Sequence, residues 1–383
     1  MRPAAARAVT VRQAGLTLVE LMVALTISLL LMLGLTTLFA NTSLSFRVND
    51  EVARLQENGS AALRFLVGDI RNAGFYGIGT SARSVDQNSL SGIPIGNDCG
   101  DAVGGIAWAL DLSVPLSVTQ GLTPEDVSAS FPCIVSSNFS PGSPVIVIRG
   151  ANGTAIAAPT GGTIDAALSA QPNYANTLYV QGSTESTNSV LFFGSAYAAL
   201  RDAGGNRRLK GGTEAPAFEY QTHVYYIRPC SRPSGNGGTV CQTTDDNGKP
   251  IPTLVRQELA ENAMQEVALV EGIEALGLSY GVDSAGADGI PYGAGTIPDG
   301  IPDQYISAEP ADWGQVTALR IGVRVRSTSP VAGQSDSGKT YDLGDGSTFS
   351  CSGSDCLYLR QVYAQSAQLR NCVLRRQGGA SSC

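Results

Sequence analysis

One histidine, His223, is present among 383 residues. That scarcity removes the hydrolase and metalloprotease patterns that need two imidazoles, and no C-x-x-C pair stands in for them as a zinc site. No G-x-S-x-G elbow and no P-loop occurs either. The basic, glycine-rich run at 205–212 lacks P-loop spacing and reads as a solvated hairpin tip. A lone histidine on an apparent strand is an ordinary surface or core residue, so the chain is not expected to be an enzyme. Basic residues are also few: 25 Lys and Arg against 33 Asp and Glu, a net charge of −8. Phosphate backbones require clustered positive charge, which argues against nucleic acid as a partner.

Two further absences fall on one stretch. No proline lies between Pro3 and Pro94, and no charged residue lies between Glu20 and Arg47. Residues 15–39 read GLTLVELMVALTISLLLMLGLTTLF. A run of about 20 apolar residues is long enough to cross a bilayer as a helix. Glu20 is the anomaly, because an ionisable group at the edge of such a helix is costly and points to function. Three readings compete. A secretory signal would be cut after the apolar run, but that run is long and Leu38-Phe39-Ala40 lacks the small residue two places before Ala40. An uncleaved anchor would set Glu20 at the positive end of its helix. A third arrangement cuts the chain on the cytoplasmic side, between Gly15 and Leu16. Arg2, Arg7 and Arg12 precede the run without any acidic residue, so the N-terminus faces the cytoplasm and everything after Asn41 lies outside.

Helical spacing continues past the apolar run. Val48, Val52, Leu55, Gly59, Ala62, Leu66 and Ile70 recur every three or four residues. A continuous helix from Thr17 to Asn72 would be about 80 Å long, with Asn58-Gly59 a weak point of about 1 kcal/mol. The glycines at 74 and 77 suit its end. Strands are expected at 145–148, 177–180, 190–193 and 223–228, with a surface loop over 150–162. Residues 262–280 are ambiguous between helix and strand, the part from Gly272 reading as a strand. Leu319, Ile321, Val323 and Val325 alternate with Arg320, Gly322, Arg324 and Arg326, and a last strand or pair falls in 357–373.

All eight cysteines lie beyond the apolar helix. An even number confined to the translocated part reads as disulfides formed in an oxidising compartment. Nearest-neighbour pairing would join Cys99 to Cys133, Cys230 to Cys241, Cys351 to Cys356 and Cys372 to Cys383, one of many possible connectivities.

Gly15-Leu16-Thr17-Leu18-Val19-Glu20-Leu21-Met22-Val23-Ala24 resembles the prepilin signature of type IV pilins and of type II secretion pseudopilins. The resemblance implies that the leader 1–15 is removed after Gly15 and that the new N-terminal residue, Leu16, is N-methylated. The usual first mature residue is Phe, and here it is Leu. The run at 69–77, Asp-Ile-Arg-Asn-Ala-Gly-Phe-Tyr-Gly, resembles the helix-to-domain junction of PilW-type minor pilins. Residues 270–283, 319–326 and 369–371 resemble their C-terminal half. The region 81–256 matches nothing in that family.

The implied fold is α+β and pilin-like. A long helix over 16–76, with its membrane and assembly part at about 16–40, packs on an antiparallel sheet in a domain over 77–383 that carries large loop-rich insertions. The implied function is a structural minor pilin that takes part in assembling or priming a type IV pilus, in a tip-located complex. Its partners would be the major pilin, other minor pilins, prepilin peptidase and the inner-membrane assembly platform. It would sit in the bacterial inner membrane before assembly and in the pilus, periplasm or cell surface afterwards. A J-type pseudopilin of type II secretion and a tip adhesin using residues 81–256 are the alternatives. No cofactor is implied beyond a calcium candidate. PilW-type pilins often carry a D-x-D-x-D-G-x-x-D run after the Tyr-Gly-Val-Asp strand. Asp299, Gly300 and Asp303 fit its second half, while Gly295 and Ile297 replace the earlier acids. Asp283 and Asp288 would substitute only if the loop folds back; otherwise this is a polar, turn-rich loop.

Overall fold

The computed structural model describes residues 15, 17–77, 85–86, 91–158, 162–182, 189–199, 209–210, 213–283, 300–310, 313–331 and 333–371. Two compact units are present, Met1–Glu51 and Val52–Cys383. Helix α1, Leu18–Asn72, begins in the first and ends in the second.

In the second unit α1 buries Leu55, Gly59, Ala62, Leu63, Leu66, Val67 and Ile70. These follow the three-and-four spacing of the sequence, although Val52 stays 42% exposed. The helix runs through Gly59 without a break. A Cβ there would lie 2.2 Å from Cδ2 of Tyr363, so the glycine serves close packing, not bending. The helix stops at Asn72, the end that the residue spacing gives, so residues 73–76 of the 16–76 span lie beyond it. Gly74 turns the chain with φ of 69°, its N–H donates to Arg149 O at 2.9 Å, and Asn371 Nδ2 donates to the carbonyls of Arg71 and Ala73. The two bonds from Asn371 satisfy acceptors that a helix end leaves open.

The strands are β1 (Val85–Asp86), β2 (Leu116–Thr119), β3 (Val145–Ile156), β4 (Leu178–Gln181), β5 (Ser189–Phe193), β6 (Leu209–Lys210), β7 (Thr213–Glu214) and β8 (Ala217–Arg228). They continue as β9 (Thr253–Ala260), β10 (Ala263–Glu271), β11 (Ile273–Val282), β12 (Gln304–Ile306), β13 (Val316–Arg326), β14 (Tyr341–Asp342), β15 (Thr348–Phe349) and β16 (Arg360–Gln368). Where the sequence leads to one sheet, the described residues form two main sheets and two separate strand pairs, β6–β7 and β14–β15. A larger one has the order β1-β5-β4-β8-β3-β2 with β9 and β10 attached to β8, and a smaller one has the order β12-β11-β13-β16. All pairings are antiparallel except β1 with β5. Gly272, at φ 79°, carries the chain from β10 to β11 and so from one sheet to the other. The ambiguous stretch at 262–280 is therefore strand throughout its two halves.

Both faces of the larger sheet are covered, which is why its strands read as unbroken apolar runs. Val180, Leu191 and Phe218 face a core with Tyr76, Leu110 and Phe139. Tyr179, Val190, Phe192 and Ala217 face a second, smaller core against Ile164 and Leu168 of the short helix Ile164–Ser169. The expected loop at 150–162 is in its first half a continuation of β3. A Cβ on Gly150 would sit 2.4 Å from Asn72 O, so this glycine marks strand-to-helix contact.

The smaller sheet is also covered twice. Ile321, Val323 and Val325 are fully buried, and Arg324 on the opposite face is only 8% exposed. The guanidinium of Arg324 lies 3.8 Å from the Phe349 ring, and the β14–β15 hairpin presses so closely that a Cβ on Gly322 would meet Leu343 O at 2.0 Å. Glu274 holds this layer together. It accepts hydrogen bonds from Arg324 Nε at 2.9 Å and from Arg360 Nε and Nη2 at 2.8 and 2.9 Å. Burial opposes the charge on Glu274, but the Arg360 and Arg324 guanidiniums outweigh it and hold its carboxyl below the usual range.

Candidate assembly site

In the first unit the N-terminal half of α1 is a bare apolar cylinder. Its large hydrophobic side chains from Leu18 to Phe39 are 51% to 77% exposed, and an 18-residue window reaches a mean hydropathy of 2.4. Among the described residues this is the one helix long and apolar enough to cross a membrane. Five of its hydroxyls are satisfied within the helix. Thr26, Ser28, Thr36, Thr37 and Thr42 each donate to a backbone carbonyl three or four residues back, at 2.7 to 2.9 Å. A surface of that kind tolerates lipid or a dry packing of like helices, because these hydroxyl hydrogens are satisfied within the helix.

Glu20 has a local role that the sequence reading missed. Thr17 N and Thr17 Oγ1 both donate to Glu20 Oε2 at 3.0 Å, and Glu20 N donates back to Thr17 Oγ1 at 3.3 Å. This is a capping box, two residues closing the open N–H groups of a helix start. Its signal, Thr-x-x-Glu before an apolar run, stands at 17–20. The carboxylate is thus oriented before any second molecule arrives. Gly15 precedes the helix and is exposed, and Leu16 lies outside the described residues.

The helical part within the second unit is fastened by polar contacts as well as its apolar stripe. Asp69 Oδ2 lies 2.5 Å from His223 Nδ1, accepts the Tyr225 hydroxyl and lies 3.7 Å from Arg256 Nη1. Burial works against the Asp69 charge, yet His223, Tyr225 and Arg256 together keep its carboxyl below the usual range. The phenol of Tyr225 is pushed well up, by burial first and then by the Asp69 charge. Asn58 Nδ2 donates to Glu271 O at 3.0 Å. The lone histidine is thus a buried structural clamp, 7% exposed.

Two family models match the chain. One, described as a prokaryotic N-terminal methylation motif, covers residues 11–36. The other, described as Type IV Pilus-assembly protein W, covers residues 239–371. The chain thus resembles prepilin-like proteins at its N-terminus and proteins of the PilW type over its C-terminal third. Neither a curated protein nor a solved structure matches it. Both matches point to a structural, pilus-associated protein. The matched C-terminal stretch comprises β9 to β16, that is, the whole smaller sheet, the β9–β10 hairpin and the β14–β15 hairpin. Strands β1 to β8 and the junction at 69–77 stand outside both matches.

Among the described residues three disulfides are present: Cys99–Cys133, Cys230–Cys241 and Cys351–Cys356. Cys99 and Cys133 belong to the main core of the larger sheet, and Cys230–Cys241 closes the connection from β8 to β9. Cys372 and Cys383 lie outside the described residues, as do Asp288 and Asp299. The ends of the calcium-candidate loop do meet. Gly300 N donates to Asp283 Oδ2 at 2.9 Å, Asp303 N donates to Val282 O, and β12 pairs with the end of β11. Asp283 is fully buried and Asp303 exposed. Among the described residues no third acid joins them closely enough to share an ion.

Proposed function

We propose that this chain is a minor pilin that is processed by prepilin peptidase and joins, or primes, a type IV pilus within a tip-located minor pilin complex. The observation that carries the reading is the coincidence of the methylation motif on a bare apolar helix with the assembly-protein match over the late strands. Cleavage between Gly15 and Leu16 exposes an amine that is then methylated. Glu20, already turned toward the helix start by Thr17, presents its charge to the N-terminal amine of a neighbouring subunit. Forming such a desolvated pair changes the free energy of docking by several kcal/mol. Apolar helices then associate, with the N-terminus on the cytoplasmic side of the inner membrane beforehand and the disulfide-bonded domain outside. The major pilin, other minor pilins and the inner-membrane assembly platform are the partners.

The mass of the N-terminal peptide tests this reading directly. N-methyl-leucine at residue 16 supports it, and an intact Met1 or a start near Asn41 refutes it. Glu20→Gln is the informative variant, since Gln still serves a capping box but carries no charge. Cleavage should be normal and incorporation into filaments lost; normal incorporation would remove the charge-pair role. Deletion that blocks protein secretion and leaves pili intact would favour the type II secretion alternative. Calcium at the 283–303 loop is a separate proposal, supported by the buried Asp283 that gathers the loop ends. It predicts a melting shift at millimolar calcium that disappears in Asp299→Ala.

A further inference from the structure

Strand β8 gives one edge to β3 and divides the other between two strands. β4 pairs with Ala217 to Glu219, and β9 pairs from His223 onward. At residues 220–222 the sheet forks, and a cavity of about 290 Å³ opens in the fork. It lies at a seam: β9 belongs to the family-matched stretch, whereas β8, β4 and the turn at Asn173 do not. Glu219, Gln221 and His223 line it from alternate positions of β8, and Arg256, Glu258 and Glu261 line it from β9 and its turn.

Most of these groups are already engaged. Glu258 accepts from the Arg256 guanidinium, Glu261 accepts from Asn173 Nδ2 at 2.6 Å, and His223 is turned to Asp69. Glu219 is the exception: its carboxylate makes no hydrogen bond to any described residue, although its backbone pairs with Tyr179 of β4. Burial holds its carboxyl above the usual range, His223 offsetting this in part and Glu258 adding to it. A second acceptor is also unused: Asn262 Oδ1, on a residue lining the same cavity, is buried without a hydrogen-bond partner. The cavity has three glutamates, one arginine and no lysine. Its charged lining is therefore negative, and it holds two acceptors, the Glu219 carboxylate and Asn262 Oδ1, that no donor meets.

A metal ion fits poorly. The one described group of His, Cys, Asp or Glu side chains with ligand atoms within 4.8 Å of one another is Cys230, Cys241 and Asp245, and its cysteines are disulfide-bonded. The carboxylates of the fork do not converge in that way, and the space suits an organic group. An ammonium on an alkyl stem supplies what is missing, three N–H donors and one positive charge. Its charge-assisted bonds are about twice as strong as neutral ones. We propose that this cavity binds a primary alkylammonium group, carried either by a free diamine or by a lysine side chain of another protein. The proposal is independent of how the filament is assigned.

The test is titration calorimetry on the full chain in detergent micelles with 1,5-diaminopentane, Nα-acetyl-lysine methylamide and 1-pentanol. Saturable binding of at least one amine, and none of pentanol, is expected; whichever amine binds more tightly identifies the source. Glu219→Gln should weaken binding by about tenfold or more with a melting temperature equal to or above the parent's, and Glu219→Asp should restore part of it. Pentyltrimethylammonium has the charge without N–H donors, so it should bind the unaltered chain about tenfold more weakly, a comparison that needs no variant. Absence of saturable binding by both amines at about millimolar concentration, equal binding by Glu219→Gln, or equal binding of pentanol would overturn the proposal.

Discussion

Two glycines on the same helix should respond to alanine with opposite signs. Gly68 is exposed and a Cβ there would meet nothing within 4 Å. Replacing an unhindered helical glycine by alanine stabilises by about 1 kcal/mol, because the unfolded chain loses freedom and the helix gains propensity. Gly59 carries the same intrinsic gain, but its Cβ would lie 2.2, 2.5 and 2.8 Å from Cδ2, Cε2 and Cγ of Tyr363. Cγ is near the root of that side chain, so the ring cannot escape by swinging its tip, and the helix must lift from β16. Overpacking of this kind costs about 1–3 kcal/mol, which outweighs the propensity term. Gly59→Ala should therefore destabilise by about 1 kcal/mol, leaving a gap of about 2 kcal/mol between the two variants. Denaturant midpoints of the purified chain in one detergent, with the slope checked for constancy, measure the difference. In a Tyr363→Ala background Gly59→Ala should become stabilising. Equal upward shifts of both single variants would refute the packing argument and leave Gly59 as an ordinary weak point.

Other consequences follow from the charged layer and the disulfides. Glu274→Gln would leave Arg324 and Arg360 facing each other without their shared carboxylate, a loss of about 3–5 kcal/mol; a change below about 1 kcal/mol in denaturant unfolding would contradict it. Asp69 and Glu274 both have carboxyls held below their ordinary values of 3.8 and 4.5. Their contribution is present above that ordinary range and is lost as pH falls through the lower folded values. The acid limb of a stability-against-pH curve should accordingly flatten in Asp69→Asn, and an unchanged limb would refute the clamp. Cys99–Cys133 spans 34 residues and Cys351–Cys356 spans 5. Loop-closure entropy then predicts losses of about 4 and about 2 kcal/mol on paired serine replacement, and the reverse order in thermal unfolding would show that strain or unfolded-state structure dominates.

Legibility in the sequence followed range. The apolar run and the stripe from Leu55 to Ile70 lie within one helix, and the spacing of residues suffices to read them; the capping box at 17–20 is equally local, and its Thr-x-x-Glu signal went unread. The short strands at 145–148 and 190–193 were legible for the same reason, since β-branched runs mark a pleated, buried surface. Misreadings fell where a glycine's reason lay far away. Gly150 looked like loop composition because Asn72, the atom it must clear, is distant in the chain. Gly59 looked like a weak point because Tyr363 lies more than three hundred residues on. The role of His223 was equally hidden, since its partner Asp69 is 154 positions away.

By itself the sequence determined that an apolar stretch of membrane length follows a basic N-terminal segment, with one carboxylate at its start and every cysteine beyond it. Those properties are local or compositional, and no fold can alter them. Only the tertiary structure decided that the late strands form a separate small sheet around Glu274, that α1 is clamped by Asp69, and that β4 and β9 part along β8 to leave a negative cavity. Each of these depends on which distant strands share an edge, and strand pairing is set by long-range packing that residue spacing does not encode.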